Sequence, residues 1–280
     1  MRVLVTGAGG QLGSDVCKRL ANEGIEYKGI DRTDYDLTIS KEVSRAFNDY
    51  QPTVVIHCAA YTSVDNAEKE IDICRKTNVD ATYYIANESK KNHCKMMYIS
   101  TDYVFDGQGN VPFEVNDPHA PLNIYGKTKA EGEVIVKATL REHYIVRVSW
   151  VFGSKGKNFV KTMISLGANN REISVVDDQI GSPTYTEDLA LLLCSMIKTE
   201  KYGTYHATNE GFCSWAEFAS EIMKLMRFDC KIIPVSSSNY KTLAKRPSNS
   251  RMSKASLDSS GFRRLPHWKN ALKRGISIMT

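Results

Sequence analysis

The sequence predicts an α/β protein of the Rossmann type: a doubly wound parallel sheet with a smaller C-terminal substrate-binding lobe. Three observations carry this expectation. The first half alternates short apolar, β-rich runs with helical patterns. The first run, Arg2-Val-Leu-Val-Thr-Gly7, passes directly into Gly7, Gly10 and Gly13, which open an amphipathic helix. Further on, Tyr125 and Lys129 stand four residues apart in a helical stretch and so share one face.

The elements follow in order. Val3–Thr6 reads as a buried strand, Gln11–Asn22 as a helix and Tyr27–Asp31 as a second strand. Thr38 or Ser40 is placed to cap a helix running to Asp49. Val54–Cys58 is a third strand, Glu68–Lys91 a long helix and Met96–Ser100 a fourth strand. The helix carrying Tyr125 and Lys129 extends to Glu142, and Tyr144–Val148 is a fifth strand. Strands alternating with helices form a parallel sheet through right-handed crossovers. In the second half, Phe159–Leu166 and Glu187–Lys198 read as helices, and Ile173–Val176 and Lys231–Pro234 as extended pieces. Ser214 with Glu217 forms a capping box for a helix over Trp215–Met226, and Ser236–Asn239 signals a loop. The division is a dinucleotide-binding domain over 1–150 and, over 151–280, mostly a substrate lobe with segments returning to the core. That lobe would pack over the carboxyl edge of the sheet, where open α/β folds bind ligands.

Bulk properties narrow the function. The 280 residues carry a net charge of +5, from 37 basic and 32 acidic side chains. An excess this small and scattered suits a phosphate-rich small ligand and argues against nucleic acid. The densest basic stretch, Arg246 to Arg274, reads first as solvated surface. The seven cysteines are odd in number and contain no Cys-x-x-Cys pair, which points to free thiols in a reducing cytoplasm. They form no metal-ligand spacing with the six histidines, so no metal site is expected. Only a few residues precede the glycine loop, leaving no room for a signal peptide. The longest apolar run, Leu189–Ile197, is too short to span a bilayer.

The glycine loop is the candidate cofactor site. Gly7, Gly10 and Gly13 allow a tight turn and let a pyrophosphate approach the amides of Gln11 and Leu12 at a helix N-terminus. Asp31, ending the second strand, is placed to bind a ribose, while the adjacent Arg32 would attract a 2′-phosphate; NADPH and NADH are both allowed. Asp36 and Leu37 could close over the adenine, with an exposed loop aspartate as the plainer reading. Ala59, Ala60 and Tyr61 follow the third strand, where small residues admit the cofactor or simply pack the strand end. Asn78 is either a surface polar residue or a bond to the backbone where the fourth strand ends.

Ser100-Thr101 closes the fourth strand beside this site. The Thr101 hydroxyl can donate to a substrate carbonyl and hold developing alkoxide charge. Tyr125 would be the proton donor, and the Lys129 ammonium is expected to lower the phenol pKa toward neutrality while holding the nicotinamide ribose. With 14 tyrosines the spacing alone would recur by chance. Its weight comes from the Ser-Thr strand end and the glycine loop around it.

Taken together, these motifs resemble the extended short-chain dehydrogenase/reductases, and among them the dTDP-4-dehydrorhamnose reductase family. The resemblance spans the chain and rests on Gly7 to Gly13, Ala59-Ala-Tyr61, Ser100 to Gly107, Pro121 to Lys129, Arg147 to Val151, Asp178 to Thr184 and Arg246 to Arg251. It implies a catalytic triad of Thr101, Tyr125 and Lys129 and a cofactor lining of Gly10, Gln11, Leu12, Asp31, Asp36, Leu37, Ala59, Ala60 and Tyr61. It further implies that Asp102, Tyr103, Val104, Trp150 and Arg246 contact a dTDP-linked 4-keto-6-deoxyhexose, with Asn158 and Gln179 as weaker candidates. Core packing accounts for Trp150 nearly as well, and solvation is the alternative for Arg246. The activity implied is NAD(P)H-dependent reduction of the 4-keto group, in a cytoplasmic protein that could be a homodimer. Related dehydratases carry Asp-Glu after the threonine; here Asp102 is followed by Tyr103, which favours reduction. Another nucleotide-sugar 4-reductase or 4-epimerase of the same superfamily, or a non-catalytic dinucleotide-binding regulatory subunit, are the alternatives.

Overall fold

A computed structural model describes residues 1–240 and 242–279. In chain order its elements are β1 (Arg2–Thr6), α1 (Gln11–Asn22), β2 (Glu26–Ile30), α2 (Ser40–Tyr50), β3 (Val54–His57), α3 (Val64–Ala67), α4 (Ile71–Arg75), α5 (Ala81–Lys91), β4 (Lys95–Thr101), α6 (Ile124–Thr139), β5 (His143–Val148), β6 (Val151–Phe152), α7 (Phe159–Gly167), β7 (Glu172–Val176), β8 (Ile180–Gly181), β9 (Thr184–Tyr185), α8 (Thr186–Met196), β10 (Gly203–His206), β11 (Asn209–Glu210), β12 (Cys213–Ser214), α9 (Trp215–Met226), β13 (Lys231–Val235), β14 (Asn249–Ser250), α10 (Ala255–Ser259), β15 (Leu265–His267) and α11 (Trp268–Met279).

Six parallel strands form the main sheet in the order β10-β5-β4-β3-β1-β2. The winding direction reverses between β1 and β3, and a crevice opens there at the carboxyl ends of the strands. Side chains alternate across the sheet. Val3 and Val5 face one core with Leu12 and Val16 of α1 and Leu189 and Leu193 of α8. Leu4 faces the other core with Phe47 of α2, Ile85 of α5 and Val136 of α6. A third core under the second half joins α7, α9 and α11 through Val160, Phe218 and Leu272, beside the parallel pair β7–β13.

The helix over Trp215–Met226 has its capping box, with Ser214 Oγ accepting from the Glu217 amide at 3.0 Å and the Glu217 carboxylate accepting from Ser214 N at 2.8 Å. Other expectations need correction. Neither Thr38 nor Ser40 caps α2, because Ile39 takes the capping position and Thr38 instead donates to Asp36. The helix expected over Glu68–Lys91 starts at Ile71 and contains a wide π turn over Lys76–Asp80 between α4 and α5. Helix α6 stops at Thr139, before the expected Glu142, where Leu140 turns extended. The basic tail is partly paired: Arg264 joins Asp258, and Arg274 reaches Asp188 at 2.7 Å. Among the described residues no helix is long and apolar enough to cross a membrane.

Candidate active site

A cavity of about 930 Å³ occupies the crevice at the carboxyl edge of the sheet. At one end lies the glycine loop. Gly7 is left-handed (φ +66°), and a Cβ there would stand 2.8 Å from Ala59 N. A side chain on Gly13 would collide with the Gly7 carbonyl. The loop is therefore packed against the end of β3, with no space for larger residues. Gly10 caps α1 without any side-chain bond, and no acidic residue sits in the first turn. The first amides of the helix thus lack intrahelical acceptors and face a cavity, which suits an anionic group.

Asp31 leaves β2 and accepts from Gly9 N at 2.8 Å, fixing its carboxylate beside the loop. Arg32, Tyr35, Asp36 and Leu37 continue the wall. The Asp36 carboxylate is occupied by the Thr38 amide (3.0 Å) and hydroxyl (2.7 Å), which hold it below the usual carboxylate range. Across the cavity stand Ala59, Ala60 and Tyr61, and Tyr61 Oη donates to Glu70 at 2.6 Å.

Asn78 is buried, and it does not reach the end of the fourth strand. Its Oδ1 accepts from Tyr61 N at 2.7 Å, while its Nδ2 donates to Tyr61 O at 3.2 Å and to Thr128 Oγ1 at 3.0 Å. The π turn aims this amide at the loop after β3, joining it to α6.

The other end of the cavity holds Ser100, Thr101, Asp102, Tyr103, Tyr125, Lys129 and Trp150. Thr101 Oγ1 donates to Asp102 Oδ1 at 3.0 Å and accepts from Tyr103 N at 3.2 Å. Helix α6 can approach this turn because residue 126 is glycine; any Cβ there would strike the Tyr103 carbonyl. Asn123 caps the helix by accepting from Gly126 N at 2.8 Å. Tyr125 consequently meets Tyr103 edge to face, with centroids 5.6 Å apart.

The electrostatics correct the expectation about the phenol. Burial pushes the Tyr125 phenol up, the Thr101 hydroxyl pulls it partly back, and Asp102 and Cys74 push it further up. Lys129 instead lies over the Tyr98 ring, its Nζ 3.9 Å from the centroid, and is 2% exposed. Burial lowers that ammonium to about 7 against the opposing pull of Glu133, Cys58 and Cys74. Burial, Thr101, Asp102 and Cys74 set the Tyr125 phenol, and Lys129 exerts no comparable pull on it. Asp102 is raised to about 6 by burial, and its Oδ2 has no hydrogen-bond partner.

Behind the site, Glu133 lies one turn beyond Lys129. It accepts from Ser100 Oγ at 2.5 Å, Arg147 Nε at 2.8 Å, Arg147 Nη2 at 2.7 Å and His119 Nε2 at 3.0 Å. Burial opposes the charge on Glu133, but these donors hold it well below the usual range.

Trp150 has a left-handed backbone (φ 49°), an unfavourable state for a bulky residue. Its indole stacks on Trp215 at 3.6 Å and still lines the cavity, so packing and ligand contact share one ring. Gly13, Asn78, Val104 and Arg246 lie off the cavity wall. Val104 is fully buried, and Arg246 is paired with Asp65 at 2.7 Å and 3.2 Å. Asn158 donates to Gln11 Oε1 at 2.9 Å. Sequence reasoning missed Tyr35, Glu70 and Lys157 in the wall and the role of Glu133 behind it. Glu133, four residues after Lys129, was the one with a usable spacing. Among the described residues no group of three or more His, Cys, Asp or Glu is arranged to hold a metal ion.

Residues 1–280 match the RmlD substrate binding domain family. The chain belongs to that family. Within the RmlD family setting, a dTDP-4-dehydrorhamnose reductase from Clostridium acetobutylicum has the same fold at a TM-score of 0.97 and 41% identity, covering 100% of this chain and 99% of that one. A dTDP-4-dehydrorhamnose reductase from Bacillus anthracis, in complex with NADP, superposes at 0.96 with 42% identity over 99% and 98% of the two chains. The spore coat polysaccharide biosynthesis protein SpsK of Bacillus subtilis is 41% identical over 97% of this chain and 95% of its own.

Proposed function

We propose that this protein reduces the 4-keto group of dTDP-4-dehydro-6-deoxy-L-mannose to give dTDP-L-rhamnose, with NADPH or NADH as the reductant. The observation that carries the reading is one cavity with a glycine-loop helix N-terminus at one end and Thr101, Tyr125 and Lys129 at the other. The family relationship and the NADP complex of the Bacillus anthracis reductase support the same substrate and cofactor.

The glycine loop and the uncapped start of α1 fit a dinucleotide diphosphate. Asp31 would take the adenine ribose, and Lys129 the nicotinamide ribose. When bound, the reduced nicotinamide supplies a hydride to the carbonyl carbon.

The protein's own residues manage the oxygen. Tyr125 gives its proton to that oxygen, and Thr101 donates a hydrogen bond to it as alkoxide charge develops. A phenol pushed up by burial is fully protonated at rest, the state a donor needs in the reducing direction. Asp102 lines the cavity next to Thr101 and would meet a sugar hydroxyl. The indole of Trp150 offers an apolar face to the sugar or base. Seven free thiols fit a cytoplasmic setting.

The test is to mix the protein with a panel of 4-keto nucleotide sugars and follow NADPH absorbance. Oxidation of NADPH with the dTDP-linked 6-deoxyhexose supports the reading. No oxidation with any of them, while NADPH still binds, would leave a binding protein in place of a reductase.

A further inference from the structure

Three cations line the cavity: Arg32, Lys129 and Lys157. Lys129 is buried at the catalytic end against Tyr98, and Arg32 stands beside Asp31 at the adenine end. Lys157 belongs to the segment between β6 and α7 and plays no part in the chemistry above. It is exposed and makes no hydrogen bond, ion pair or ring contact among the described residues.

The segment holding it is not loose. Asn158 Nδ2 donates to Gln11 Oε1 at 2.9 Å and to Gly153 O at 2.9 Å. Lys161 Nζ donates back to Ser154 O at 2.6 Å and Gly156 O at 3.1 Å. Gly156 lies against Gln11, so close that a Cβ there would stand 3.3 Å from Gln11 Cγ. The segment is therefore strapped to the first residue of α1, and Lys157 lines the same cavity as the uncapped start of that helix. Two sources of positive potential face one stretch of cavity, and no acidic side chain in the first turn neutralises them.

We propose that Lys157 is a diphosphate-binding residue, closing over the cofactor diphosphate from the side opposite the α1 amides. The inference rests on the dinucleotide reading above and assigns that site a further cation. A nucleotide sugar also carries a diphosphate, so the experiment separates the two.

Lys157→Ala and Lys157→Glu are compared with the unmodified protein and with Lys155→Ala, a neighbouring exposed lysine off the cavity wall. Dissociation constants are measured separately for NADPH, by its fluorescence, and for dTDP, by calorimetry. The expected result is about tenfold weaker NADPH binding in Lys157→Ala and a larger loss in Lys157→Glu. The affinity for dTDP should hold, and Lys155→Ala should match the unmodified protein. Unchanged NADPH affinity in both Lys157 variants overturns the proposal while leaving the dinucleotide site intact. Weakened dTDP binding with unchanged NADPH binding also overturns it, assigning the lysine to the other diphosphate. If the unmodified protein binds no NADPH, the dinucleotide reading falls and this inference with it.

Discussion

Glu133 and Arg147 face each other through two hydrogen bonds, 2.8 Å from Nε and 2.7 Å from Nη2, with neither side chain more than 1% exposed. The pair ties α6, which carries Tyr125 and Lys129, to β5. Arg147 Nη1 also donates to Val115 O at 3.0 Å and to His206 Nε2 at 3.3 Å. The His206 ring donates through Nδ1 to Ser253 O at 3.1 Å, which leaves Nε2 as the acceptor.

Glu133→Gln should destabilise the fold by about 3 kcal/mol, because it strands a buried guanidinium. The carboxylate pKa is depressed in the fold, so its stabilisation is present above the unfolded value near 4.5 and is lost as pH falls below it. Urea melts from pH 7 to pH 3 should show the steep acid loss in the unmodified protein and a flatter curve in the variant.

Tyr125→Phe removes the proposed proton donor and keeps the ring that meets Tyr103. Turnover should fall by roughly 10²–10⁴-fold. NADPH fluorescence should report cofactor binding close to that of the unmodified protein. Retained turnover would assign the proton to another group.

Lys129→Met should abolish turnover yet stabilise the unliganded protein, on the order of 2 kcal/mol at pH 7. The lysine titrates at about 7 in the fold, against 10.5 unfolded, so the unfolded chain holds more protons between these values. Burial of Lys129 therefore costs most below pH 7, and the cost fades as pH rises toward 10.5. Thermal melts across that range should show the two proteins converging at the alkaline end.

Arg32 lines the cavity next to Asp31, whose carboxylate is already held by Gly9 N. Arg32→Ala should raise the KM for NADPH by about tenfold and leave that for NADH nearly unchanged. Initial rates with each cofactor decide the point. Equal effects on both would show that Arg32 does not read the 2′-phosphate.

Local demands made much of this molecule readable from its sequence. The glycine loop tolerates no side chain at Gly7 or Gly13, and the Tyr125–Lys129 spacing follows from helix geometry. What escaped depends on distance or on backbone states that side-chain type does not reveal. The π turn that points Asn78 at Tyr61 replaces an ordinary helical turn without any glycine or proline to mark it. The left-handed Trp150 stacks on Trp215, which lies far along the chain. The expected acidification of Tyr125 assumed a solvated ammonium, whereas Lys129 is withdrawn over Tyr98.

The strand that covers β5 begins only at Gly203. While the chain is being made, β5 emerges well before its neighbour and presents Tyr144, Ile145 and Val146 along an open edge. At about 5–20 residues per second the wait lasts roughly three to eleven seconds. An unpaired apolar strand is a template for wrong association, so nascent chains stalled between β5 and β10 should be the species most in need of a chaperone.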